Sequence, residues 1–75
     1  MLYHFHIRDH GDLIRDEEGS ELPDMAAAQA EARASSCDLL IEELKSGIAI
    51  PGRSIEITDT DGKLLESMPV RHNLN

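Results

Sequence analysis

One cysteine, one tyrosine, one phenylalanine and no tryptophan leave this 75-residue chain without the usual supports of a very small domain. With Cys37 alone no internal disulfide can form, so the fold must rest on its core, a metal or a partner subunit. A chain of this size buries only about 60% of the surface its unfolded form exposes, and with so few large aromatics that core is thin. Long apolar runs are missing as well. No window approaches the roughly eighteen residues of a membrane span, and the opening MLYHFHIRDH is not a basic region followed by an apolar stretch, so neither insertion nor export is expected. Positive charge is scarce: seven Lys and Arg stand against fifteen Asp and Glu, a net charge of −8, and the basic residues do not cluster. Such a field repels a phosphate backbone and argues against nucleic acid as a partner. A lone cysteine without an export signal points to the cytoplasm.

What the chain does have is a change of hydrophobic period. Residues 2–8 alternate, with Tyr3, Phe5 and Ile7 on one face and His4, His6 and Arg8 on the other, the pattern of a half-buried strand. Asp9 to Asp12 supplies turn residues, and residues 12–16 make a second strand. Glu17 to Glu21 is too polar to bury and is expected to be an acidic connection. Asp24 is placed to cap a helix over residues 24–46, rich in alanine and stopped by Gly47. At about 100° per residue, Ala26, Ala30, Cys37, Leu40, Ile41 and Leu44 fall on one stripe, which is expected to face the core and bury Cys37. Arg33 lies within that stripe and is expected to reach Glu17 or Glu18. Pro51 and Gly52 suit a type II turn. Strands over 53–59 and 63–69 flank a turn at Asp59 to Gly62, Pro69 suits an edge strand, and 71–75 reads as a tail.

These elements predict one domain over residues 1–75 of the α+β class: a ββαββ order, with a four-stranded, mainly antiparallel sheet and one long helix across one face. The strand order 2-1-3-4 makes the sheet wholly antiparallel; 1-2-3-4 is the alternative.

Few residues suggest chemistry. His4 and His6, two apart on a strand, share a face and are the candidate metal ligands. A closed zinc site needs four ligands, however, with Cys37 expected in the core and His72 in the tail. The Asp59-Thr60-Asp61-Gly62 run resembles part of a calcium loop, but its spacing puts Ile57 and Met68 where oxygen donors are required. Ser35, Ser36 and Cys37 sit in mid-helix without a paired base, and no glycine-rich phosphate loop is present. No catalytic residue, cofactor or enzyme activity is expected.

Tyr3, Phe5, His6, Asp9 and Gly11, then Leu13, Asp16, Glu18, Gly19 and Leu22, then Ala27, Ala28, Glu31 and Ala32 form a pattern spread over most of the chain. The pattern resembles a family of small alphaproteobacterial proteins classified only as a domain of unknown function. His10 departs from it by separating an Asp and a Gly that are adjacent in the family. The resemblance implies a fold and a cytoplasmic setting, and no site residues. The sequence therefore suggests a non-catalytic interaction module, homodimeric or bound to a protein partner, using His4, His6, Arg8 and Arg33. The alternative is a small ligand- or metal-sensing domain using His4 and His6.

Overall fold

The computed structural model of the protein describes residues 1–71. Strand β1, Leu2–Asp9, turns into β2, Asp12–Ile14, with Asp9 paired to Asp12. Both residues of the two-residue loop have positive φ, 49° at His10 and 94° at Gly11. That is the mark of a type I′ turn, whose twist matches a right-handed hairpin. The acidic connection is not all loop. Ser20–Glu21 forms a short strand, β3, that pairs with Tyr3 and Leu2. Ladder bonds are made by backbone groups, so the polar side chains that argued against a strand here do not prevent one.

Helix α1, Met25–Ser46, begins where Asp24 Oδ1 accepts from Ala27 N at 2.9 Å and ends at Gly47, whose left-handed φ of 73° lets its N–H reach Glu43 O. Strands β4, Arg53–Thr58, and β5, Leu64–Pro69, follow as a hairpin. In its turn Asp59 Oδ1 accepts from the N–H groups of Asp61 and Lys63, both at 2.9 Å. The sheet runs β2-β1-β4-β5, antiparallel throughout, with β3 joining β1 on the β2 side. This is the expected α+β order 2-1-3-4 with one extra strand, and Pro69 lies on an edge strand as expected. Residues 72–75, with His72 and most of the expected tail, lie outside the described residues.

The central pair sets Phe5 opposite Ile57 and Ile7 opposite Ile55. Against that face pack Ala28 and Ala32 of α1, both fully buried, with Tyr3, Ile55, Ile57 and Val70 completing the core. Met25, Leu39 and Leu40 close its flanks. The helix therefore faces the sheet through Ala28, Ala32 and Ser36, and the expected orientation is corrected: Cys37 is exposed, as are Ala26 and Ala30, while Ile41 and Leu44 remain 47% and 70% exposed. Small side chains let the backbones approach closely enough for Tyr3 and the isoleucines to fill the space between them. A stripe chosen by bulk alone selects the opposite side of the helix.

One ion pair locks the helix end to the sheet. Glu43 Oε1 accepts from Arg53 Nη2 at 2.9 Å and from Ile50 N at 2.8 Å, with both side chains nearly buried. Arg53 Nε is buried and without a partner among the described residues. Removing one member of a buried pair leaves an uncompensated charge, whereas apolar replacement of both is often tolerated. Glu43→Ala should therefore cost about 3 kcal/mol in urea unfolding, and the double variant Glu43→Leu with Arg53→Met should recover at least half of it. A double variant as unstable as the single one would show that the pair contributes by more than mutual compensation.

Candidate functional site

The sheet face turned away from α1 carries His4, His6 and Arg8 on β1 beside Ser54, Glu56 and Thr58 on β4, as their register dictates. Three of the four expected interaction residues are thus brought together. Arg33 is not among them: it is exposed on α1, which covers the other face, and no carboxylate among the described residues pairs with it. The expected reach to Glu17 or Glu18 does not occur, because the helix is turned so that Arg33 points to solvent rather than towards the edge of the sheet.

The centre of the face is Asp16. Beyond Ile14 the chain leaves the β1 edge and returns to it only at Ser20, which strips Phe5 N of a strand partner. Asp16 substitutes for one: its Oδ2 accepts from Phe5 N at 3.1 Å and its Oδ1 from Gly19 N at 3.2 Å. Its backbone is held from the other side. Asp16 O accepts from His4 Nδ1 at 2.7 Å, and Asp16 N donates to His6 Nδ1 at 2.9 Å. The loop is also sterically specified, since a Cβ on Gly19 would lie 2.9 Å from Tyr3 O, at a φ of 73°.

These bonds fix the two imidazoles in opposite tautomers. A carbonyl can only accept, so His4 carries a proton on Nδ1. A backbone N–H can only donate, so His6 Nδ1 is bare, and in the neutral ring Nε2 carries the proton and donates to Thr58 Oγ1, 3.2 Å away. The rings lie nearly parallel, 12° apart in plane with centroids 5.9 Å apart. Three of the four ring nitrogens are thus engaged within the protein, leaving His4 Nε2. Among the described residues no group of three or more His, Cys, Asp or Glu is arranged to hold a metal ion. The residues that would have been read as ligands are fastening a loop.

Alongside, Arg8 grips Glu56 through two bonds, Nε to Oε2 at 2.9 Å and Nη2 to Oε1 at 3.4 Å. The hydrogen bond to Glu56, and secondarily its charge, raise the Arg8 pKa above its ordinary value. A shallow pocket of about 200 Å³ opens between His4, His6, Asp16, Thr58 and Asp59. Sequence reasoning passed over Asp16, Glu56 and Thr58. The Asp16-x-x-Gly19 spacing, which suits a turn closed by an Asp side chain, was a usable signal for the first. The other two emerge only once the β1–β4 register is known.

Over residues 2–71 the chain matches the family described as Domain of unknown function (DUF6894), and it belongs to that family. No curated protein and no solved structure matches it. No helix among the described residues is long and apolar enough to cross a membrane.

Asp16→Ala should cost about 1–3 kcal/mol, the range for losing charge-assisted bonds and stranding a part-buried N–H. Glu17→Ala, one residue along and exposed, should stay within about 0.5 kcal/mol of wild type. Urea midpoints compare the two; equal losses would show that Asp16 does not anchor the loop.

Proposed function

We propose that this protein is a small, non-catalytic protein-interaction module that acts by self-association or by binding a protein partner. The observation that carries the reading is a contrast between its two sides. On the sheet face the groups capable of chemistry are taken up by one another: Asp16 by Phe5, Gly19 and both histidines, and Arg8 by Glu56. On the helix side large apolar side chains stand in water, with Ile41 at 47%, Leu44 at 70% and Ile48 at 64% exposure. Ile41 and Leu44, three residues apart on α1, lie on neighbouring positions of one helix side, and exposed apolar groups set side by side on so small a surface suit a contact site. A thin core gains from such a contact, because association adds buried area that one helix cannot supply. The reading assigns the module to the cytoplasm, supported by the exposed free thiol of Cys37, which keeps best in reducing surroundings. Net charge of −8 disfavours nucleic acid as the partner.

A second reading, ligand or metal sensing through His4 and His6, is favoured by one feature: His4, whose Nε2 has no partner among the described residues, lines the pocket with Asp16 and Asp59. One free imidazole nitrogen is a poor start for a tetrahedral shell, which weighs towards the interaction module.

Two measurements separate these readings. Light scattering from low micromolar to millimolar concentration should show the mass rising towards that of a dimer; a fixed monomer mass would leave only a different protein partner. A chelator should leave the melting temperature unchanged, since no metal contributes to folding in this reading. A drop of several degrees, restored by zinc, would replace the module with the sensor.

A further inference from the structure

Helix α1 has a second apolar stripe on the side away from the sheet. Ala27, Ala30, Ala34, Cys37, Ile41 and Leu44 follow one another in alternating steps of three and four residues, and all but Ala27 are exposed. At about 100° per residue the stripe is centred roughly opposite Ala28, Ala32 and Leu39, which face the core. Alternation of three and four is the spacing of the seam along which two helices supercoil, with every member returning to the same side. Packing on the sheet does not require this second stripe, because a surface helix needs only one apolar side.

Building on the interaction-module reading, we infer that this seam receives the same seam of a second copy of the chain, the two helices running parallel about a two-fold axis. Three features select that occupant and direction. Ile41 and Leu44 occupy the two alternating seam positions in the arrangement, β-branched at one and leucine at the other, that favours two strands when the helices run parallel. The seam is bordered by Arg33 on one side and by Glu31 and Asp38 on the other. In a parallel pair the residue before one seam position meets the residue five places later on the neighbouring helix, so Arg33 of each copy faces Asp38 of the other, and the symmetry makes this ion pair twice. An antiparallel pair centred on the same stretch instead sets Asp38 of each copy beside Glu31 of the other, like charge against like. Alanine at Ala27, Ala30 and Ala34 lets the backbones close up over the first half, while Ile41 and Leu44 interdigitate over the second. The dimer is then four-layered, sheet, helix, helix, sheet, with both His4 and His6 faces outermost.

Cys37 reports on the geometry, because in the parallel pair it meets its own copy across the axis. Treatment of the full chain with diamide, which takes up the two protons and two electrons released when two thiols join, should give a disulfide-linked dimer in high yield at concentrations where sedimentation shows a dimer, and none with Cys37→Ser. Leu44→Lys, at an exposed position, should raise the dissociation constant about tenfold or more while leaving the far-ultraviolet circular dichroism and the melting curve of the dilute monomer unchanged. A wild-type dimer that resists Leu44→Lys and does not crosslink through Cys37 would overturn the seam and leave the module reading intact with another face. A dimer disrupted by Leu44→Lys yet not crosslinked would overturn the parallel arrangement. A monomer at every concentration would overturn the self-pairing and confine the module to a different protein partner.

Discussion

The outer edge of β1 governs the construction of this protein. A central strand must satisfy backbone groups on both sides, and on one side β4 does so along nearly its whole length. On the other side the chain offers only two fragments, β2 for the last residues of β1 and β3 for the first. Phe5 N falls in the gap between them, and the carboxylate of Asp16 fills it. Everything distinctive on that face follows from this substitution. The backbone of Asp16 must be held at a fixed distance from β1, which occupies the histidines on either side of Phe5, and the return from Asp16 to Ser20 must cross above Tyr3 O, which only glycine at position 19 allows without a clash. A residue type that looks ready for chemistry is here a fastening, because a ring nitrogen already committed to the backbone has no lone pair or proton left to offer.

The helix solves a different problem. One helix on a five-stranded sheet with few aromatics gains most by lying close, so its contact side is made of Ala28, Ala32 and Ser36, and bulk comes from Tyr3, Ile55 and Ile57 across the gap. Close packing of small groups preserves contact density where a larger side chain would hold the layers apart. Bulk not needed inside is found outside, at Ile41 and Leu44. The same alanine-rich segment thus carries two apolar sides, one packed on the sheet and the other exposed to solvent.

Period-two alternation made β1 and β4 legible in the sequence, the turn at Asp59 to Gly62 marked β5 as the returning strand, and Asp24 with Gly47 marked the helix within a residue at each end. The strand order followed from the direction in which a long helix returns the chain. What failed has physical reasons. Cys37 was expected inside because the large residues Leu40, Ile41 and Leu44 set the phase of the helix, whereas alanine carries almost no phase information and was what the sheet had selected. β3 was missed because Ser20 and Glu21 signal solvent, although their backbone groups were what β1 required. His4, His6 and Arg8 were correctly placed on one face, but Arg33 was separated from them by the turn of the helix. Only the bond from Asp16 to Gly19 is local; its partners on β1, which make it the anchor of that face, lie ten to twelve residues away.

The pairing of β1 with β4 joins His4 to Thr58 and Asp9 to Arg53, so the middle of the sheet is assembled from segments with the entire helix between them. Closing so long a loop costs entropy before any contact repays it, and such non-local pairings slow folding. The β1–β2 hairpin and α1 are local and can form early, but together they leave Phe5 and Ile7 with no inner neighbour. As the chain leaves the ribosome, these apolar residues and the bare inner edge of β1 are exposed until residues 53–58 follow. For that interval the nascent chain is open to strand pairing with other chains, a hazard that ends when β4 takes its place between β1 and β5.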